Sequence, residues 1–272
     1  MRRQSHRVAW NEWKCFAWDG MLQPLLFPNY VVDELGGVGG STGARLVRAS
    51  NALAYVVKDD TPSVPRLRAS EYFWLSVARA VGLAAPIPEI IEDRTQGRSL
   101  IGTRQEQNLI GKSDNETLLE LLTGKVHGGG RHLSRIFAFD LFCANWDRHP
   151  GNYLVLAEGG AKVVFAIDFS HVVLSPGQCL PDRDPMTSPR TATRQFFPKV
   201  VQPYGEDQPA VVEVLNHLAA LPNAQIDGIL AAIPDQWVGV GEKQEIQGWW
   251  SNGERALRLT QISNELANGT YF

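Results

Sequence analysis

Short apolar runs at Tyr30–Leu35, Arg45–Ala49 and Leu53–Lys58 read as strands. Gly36 to Gly43 separates the first two, and Ser50-Asn51 joins the second to the third. These three predict an antiparallel sheet with a mobile Gly-rich loop at one end. Asp59–Arg66 carries two prolines and reads as a loop. Ser70 is placed to cap a helix over Glu71–Val81, which Gly82 ends and Pro86 and Pro88 keep from resuming. Arg98–Thr103 predicts a strand and Glu116–Thr123 a short helix. Leu133–Asn145 is apolar on nearly every face, the mark of a buried helix. The polar stretch 146–152 breaks it, and strands follow at Tyr153–Leu156 and Lys162–Ile167 around Glu158-Gly159-Gly160. Pro-rich 175–209 reads as irregular. Helical periodicity returns at Val211–Leu221, Ile226–Ala232 and Arg255–Ala267.

Strands, one helix, more strands and then helices make an α+β chain rather than a doubly wound sheet. Three segments follow. Residues 1–29 form an aromatic-rich extension (Trp10, Trp13, Phe16, Trp18, Phe27) expected to pack on the domain. Residues 30–105 are strand-rich and residues 106–272 mostly helical, with the boundary near Thr103–Asn108. A hydrophobic content of 44% over 272 residues supports a real core. The net charge of −3 argues against a general nucleic-acid surface. Cys15, Cys143 and Cys179 show neither zinc spacing nor a disulfide framework, so a reducing cytoplasm is expected. The basic start, Met1 to His6, has no apolar stretch behind it, and nothing is long enough to span a membrane.

The candidate chemistry sits in Asn145-Trp146-Asp147-Arg148-His149-Pro150-Gly151-Asn152, followed by Asp168-Phe169-Ser170. Alone, Asp147 would be an ordinary solvated loop acid. Asn152 stands five residues on, however, and Asp168 closes the apolar run Val163, Val164, Phe165, Ile167. An acid there is costly to bury unless it is paired or binds metal. An acid that orients a hydroxyl, with an Asn and a second acid for metal, is what phosphoryl transfer requires. Alternation places Lys58 on the strand face of Ala54 and Val56. Glu71 shares a helix face with Trp74, Leu75 and Ala78, so a carboxylate there wants a cation, and Lys58 is the natural partner. The plain alternative is a surface Lys and an acid suited to the helix dipole. Gly39, Gly40, Ser41, Thr42 and Gly43 would let backbone N–H groups approach phosphate, although a flexible hairpin turn would look the same. Ser41 and Thr42 are candidates for autophosphorylation. Of Arg148 and His149, one is expected to reach phosphate and the other to brace the loop. His149 with Asp147 and Asp168 as a hydrolytic metal site is the weaker reading, since no second His lies at ligand spacing.

Asn145, Asp147, His149 and Asn152 complete the pattern N-x-D-x-H-x-x-N, and in this the chain resembles the HipA-like family of kinases. The resemblance runs from about residue 30 to 175 and weakens in the helical tail, where 231–237 looks like a family segment. It implies a two-lobed protein-kinase-like fold, with a small antiparallel β-rich N-lobe, a larger helical C-lobe and an ATP cleft between them. It also implies ATP- and Mg²⁺-dependent transfer to a Ser or Thr hydroxyl, with a protein as acceptor. On that resemblance Lys58 clamps the ATP phosphates, Glu71 positions Lys58, and Asn152 and Asp168 hold the metal. Phosphoinositide kinases carry a similar D-R-H-x-x-N loop, so small-molecule and lipid acceptors stay open, as does a pseudokinase that binds nucleotide without turnover. Some HipA-type toxins are held by a DNA-binding antitoxin. This chain is shorter than those, which leaves an antitoxin partner without support from the sequence. Asp168-Phe169-Ser170 departs from a D-F-G triplet at its last position.

Overall fold

In the computed structural model, which describes residues 28–38, 43–105, 114–158, 161–174, 186 and 188–270, the early strands close on themselves. β1 (Asn29–Gly37), β2 (Arg45–Ala49) and β3 (Ala54–Lys58) pair antiparallel in chain order, as expected. β4 (Pro88–Asp93) and β5 (Arg98–Arg104) complete a closed barrel of order β1-β2-β3-β5-β4. The closing contact is parallel, with Asn29 opposite Ile91 and Tyr30 opposite Glu92. The expected sheet was purely antiparallel and lacked β4. Pro86 and Pro88 read only as helix breakers, yet proline is tolerated as the first residue of a strand. Val47, Ala49, Tyr55, Val57, Ile91 and Leu100 fill the barrel. Ala54, Val56 and Lys58 take the other face of β3 and are half-buried, as the alternation predicts.

α1 (Leu67–Ala80) starts four residues before the expected Glu71. Ser70 is no cap: its N–H already bonds the Arg66 carbonyl at 2.9 Å, inside the helical ladder. The other end behaves as read. Gly82 has φ 77°, and Leu83 N bonds the Ala78 carbonyl at 2.9 Å, closing the last turn. Eleven residues of α1 are buried, Glu71 among them.

α2 (Asp114–Leu122) precedes α3 (Gly129–Cys143), which is buried along most of its length. Gly129-Gly130 open α3. A Cβ on Gly130 would lie 2.4 Å from the Gly205 carbonyl oxygen, so the close approach requires glycine. β6 (Tyr153–Glu158) and β7 (Ala161–Ala166) form the expected hairpin. α4 (Ala192–Val201) lies in the stretch read as irregular. Its Pro198 is accommodated inside the helix, where Phe197, Val200 and Val201 are buried, and Phe197 stacks on Phe137 at 3.9 Å. α5 (Gln208–Ala220), α6 (Asn223–Ala232) and α8 (Glu254–Ala267) match the periodicity. α7 (Val240–Ser251) was missed, because only Ile246, Trp249 and Trp250 of it are buried.

Trp74 of α1 meets Phe139, Phe142 and Trp250 at ring distances of 6.0, 6.3 and 6.5 Å, joining α1 to the helical core. Trp237 fastens the barrel to the same core. Its indole N–H donates to Ser99 Oγ at 2.9 Å, its carbonyl accepts from Arg66 at 2.6 Å, and the Arg68 guanidinium lies 5.2 Å above its ring. Among the described residues no helix is long and apolar enough to cross a membrane.

Candidate active site

Lys58 ends β3, and three separate elements meet at its ammonium. Nζ lies 3.3 Å from Glu71 Oε1 on α1 and 3.0 Å from Asp168 Oδ1 beyond β7. It also donates to Ser170 Oγ at 3.2 Å. Glu71 turns its second oxygen to the Asp168 segment, accepting from Phe169 N at 2.7 Å and lying 3.3 Å from Ser170 Oγ. Asp168 adopts φ 58°, a left-handed conformation that Asp tolerates better than most residues.

Two carboxylates around one ammonium leave an excess negative charge in a largely desolvated place. Burial alone would lower the Lys58 pKa, but Glu71 and Asp168 together raise it. Burial raises that of Glu71, more than Lys58 offsets. Burial would also raise Asp168, yet Lys58 and Ser170 outweigh it and hold the carboxyl at about 2. A depressed carboxyl stabilises the fold fully above its unfolded value of about 3.9 and loses that contribution as pH falls through the folded value. For Asp168 the window therefore runs from about pH 4 down to about 2, worth about 2 kcal/mol. Glu71, raised, acts with the opposite sign and costs stability at neutral pH. The stability advantage of the parent over Asp168→Asn is therefore expected to shrink as pH drops from 4 to 2. Chemical unfolding of both proteins across that range measures it, and an advantage that stays constant would contradict the pairing.

The polar loop is built on the C-terminus of α3. Ala144 takes φ 57°, and Asn145 N bonds the Asp140 carbonyl at 2.8 Å, which ends the helix. Asn145 Nδ2 donates to Asp140 Oδ1 at 2.8 Å, and Asn145 Oδ1 accepts from Asp147 N at 3.3 Å. Thr193 on α4 braces the loop from outside, donating to the Asn145 carbonyl at 2.5 Å and accepting from Arg148 N at 2.9 Å. His149 Nδ1 accepts from Gly151 N at 3.1 Å, which shapes the turn Pro150–Asn152. Asn152 donates through Nδ2 to the Asp147 carbonyl at 2.8 Å. Its own carbonyl accepts from Ile167 N at 3.2 Å, so the loop abuts the residue before Asp168. The Asp147 carboxylate is partly exposed, with His171 Nε2 4.0 Å away.

Of the two roles expected for Arg148 and His149, Arg148 takes the bracing one. Its side chain is completely buried and lies away from solvent, not out where a nucleotide phosphate could meet it. It pairs with Asp140 through two bonds of 2.9 Å and donates to the carbonyls of Asn152, at 2.8 Å, and Ile167. The Phe169 ring lies 4.7 Å from the guanidinium. Burial would lower its pKa, but the Asp140 carboxylate raises it above the ordinary arginine value. Arg148 thus ties α3, the loop and the Asp168 segment together.

Gly39, Gly40, Ser41 and Thr42 lie outside the described residues, as does nearly all of the 1–29 extension. Gly43 is described, with φ 64°, and Val38 N bonds the Ala44 carbonyl at 3.0 Å, closing the base of the loop. The sequence reading missed Asp140, Thr193 and His171. Asp140 left one signal, as the lone acid within Ile136–Phe142. Thr193 left none, sitting in a stretch with no visible period.

Among the described residues no three His, Cys, Asp or Glu side chains gather around a metal position. An Asp and an Asn, with phosphate oxygens and water completing the shell, are nonetheless the kind of donor set Mg²⁺ takes in phosphotransfer sites. Asp168 suits it, since Lys58 Nζ, Ser170 N and Ser170 Oγ all bond to Oδ1 and leave Oδ2 free to face a cation. Asn152 spends its amide nitrogen on Asp147, leaving Oδ1 as an acceptor.

No family model and no curated protein matches the chain. Solved structures do. The Helicobacter pylori proinflammatory kinase CtkA superposes with a TM-score of 0.55 at 13% identity, covering 87% of this chain and 96% of that one. The fold is that of the HipA-type kinases. HipA of Shewanella oneidensis MR-1, solved with HipB and its operator DNA, gives a TM-score of 0.50 at 11% identity, covering 86% of this chain and 67% of that one. At such identities the shared property is the HipA-type fold itself. The roles of individual side chains in this chain rest on their own geometry.

Proposed function

We propose that the chain is an ATP- and Mg²⁺-dependent kinase that transfers the γ-phosphoryl group to a hydroxyl, with Ser or Thr of a protein as acceptor. One observation carries the reading: Lys58 holds Glu71 and Asp168, from three separate elements, within 3.3 Å of its ammonium. Structural ion pairs rarely need a strand end, a buried helix and a left-handed turn to converge. A phosphate-binding ammonium beside a metal-binding carboxylate does.

In this reading residues 30–105 and 106–272 act as two lobes over the nucleotide. Lys58 binds the phosphates and Glu71 fixes its direction. Asp168 and Asn152 would hold Mg²⁺, which when bound neutralises the negative charge developing on the phosphates. Backbone N–H groups of Gly39–Gly43 cover the phosphates. Asp147 orients the acceptor hydroxyl and takes its proton as the new O–P bond forms, the bond to the bridging oxygen breaks and ADP leaves. His149 and Arg148 keep the loop in shape. A cytoplasmic setting supplies the nucleotide. The HipA neighbour was solved with HipB, and a DNA-binding protein of that kind is a candidate partner here, to be sought by co-purification.

Titration calorimetry with a non-hydrolysable ATP analogue tests the nucleotide site. Binding that strengthens with Mg²⁺ and is lost in Lys58→Met is the expected result. Absence of binding by the parent, with or without metal, would overturn the reading.

A further inference from the structure

Ser170 stands where the sequence departs from D-F-G, and its hydroxyl occupies the centre of the charged cluster. It donates to Asp168 Oδ1, lies 3.3 Å from Glu71 Oε2 and accepts from Lys58 Nζ at 3.2 Å. The residue is 2% exposed, so water does not compete for these bonds. A hydroxyl has one proton and two lone pairs. Here the proton faces two carboxylates, and a lone pair faces the ammonium. Glycine at this place would supply neither. It would leave Asp168 Oδ1 and Glu71 Oε2 facing each other across one lysine, with the negative excess uncompensated.

The bonds to Asp168 share one acceptor oxygen. Lys58 Nζ, Ser170 Oγ and Ser170 N all reach Oδ1. The carboxylate plane is thereby fixed, with Oδ2 kept outside these bonds. The segment behind it is fixed as well. Phe169 N bonds Glu71, Trp74 Nε1 donates to the Val173 carbonyl at 2.9 Å, and the fully buried Phe169 ring packs edge-on to Phe139 at 5.6 Å.

Building on the kinase reading above, we infer that Ser170 is a positioning residue: its hydroxyl occupies Asp168 Oδ1 and so presents Oδ2 to the metal. Groups that orient a metal ligand from behind change metal affinity about 10–100-fold when removed. Ser170→Ala keeps the Cβ and deletes only the hydroxyl. Mn²⁺ binding to the full chain, saturated with a non-hydrolysable ATP analogue, can be followed by water-proton relaxation for parent and variant. The expected result is an Mn²⁺ affinity at least about tenfold weaker in Ser170→Ala, with the analogue's own affinity in the absence of metal nearly unchanged. A merely structural role would lower the melting temperature and the fraction of competent protein without moving the metal affinity of the remainder. Equal Mn²⁺ affinities in the two proteins would overturn the inference and leave the kinase reading standing. A parent that binds the analogue but no Mn²⁺ would overturn both. Ser170→Thr, which keeps the hydroxyl, is expected to restore parental affinity. If Ser170→Ala fails to fold, Ser170→Gly is titrated in its place, against the same tenfold expectation.

Discussion

Asp168→Asn is expected to lower phosphotransfer roughly a thousandfold or more while leaving the protein folded. The replacement keeps the shape of the side chain, and Asn tolerates the left-handed φ of 58° that Asp168 adopts. It removes one of two anions around Lys58. The remaining Lys58–Glu71 pair, 3.3 Å apart, is then electrically balanced, which limits the damage to the fold. The loss at neutral pH is expected to be about 2 kcal/mol or less, the value of the depressed carboxyl. Activity and stability should therefore part company in this variant. Steady-state turnover together with denaturant unfolding measures both. Turnover within tenfold of the parent would refute the metal-binding role. A collapse of stability would show Asp168 to be a structural ion-pair member instead.

Arg148→Ala should do the reverse and strike the fold first. Arg148 and Asp140 are both completely excluded from solvent. Removing the guanidinium strands a buried carboxylate and takes the donors from the Asn152 and Ile167 carbonyls. Breaking a buried pair in this way costs about 3–5 kcal/mol. Replacing both partners together, as Asp140→Leu with Arg148→Met, removes the stranded charge and should recover part of that loss. Denaturant midpoints of the three proteins test this. A cost below about 1 kcal/mol for Arg148→Ala would mean that the pair does not hold the loop.

These two residues also show what the sequence discloses and what it hides. Asp168 was legible because an acid ending an apolar strand has few innocent explanations. Lys58 and Glu71 were legible because strand alternation and helix spacing each put a charge on an apolar face, and the two charges are opposite. Arg148 was not. A side chain that long reaches solvent or core equally well from a loop, and only Asp140, eight residues back on a buried helix, decides the direction. Proline misled twice. Pro88 opens β4, a position where the missing N–H is tolerated, whereas Pro198 sits inside α4, where the burial of Phe197, Val200 and Val201 outweighs the lost helix bond. Ser70 looked like a cap because a good capping residue preceded an apolar period, but burial of Leu67 and Ala69 pulls the helix back by a turn. α7 carries its burial in Ile246 and the pair Trp249-Trp250, too few positions to print a period. The closure of the barrel through a parallel β1–β4 contact is a property of sheet curvature, and no local pattern encodes it.

The kinase claim is tested most directly by transfer itself. The parent and Asp147→Asn are incubated with Mg²⁺ and ATP labelled at the γ-phosphate, with and without a mixed set of Ser- and Thr-containing proteins, and the label and the intact masses are followed. Asp147 gives its backbone carbonyl to Asn152, and Asn preserves that bond, so the variant should stay folded and still bind nucleotide. The account predicts phosphate on Ser or Thr with the parent and none with the variant. Equal transfer by the two proteins, or no transfer to any hydroxyl by a parent that binds Mg·ATP, would contradict it.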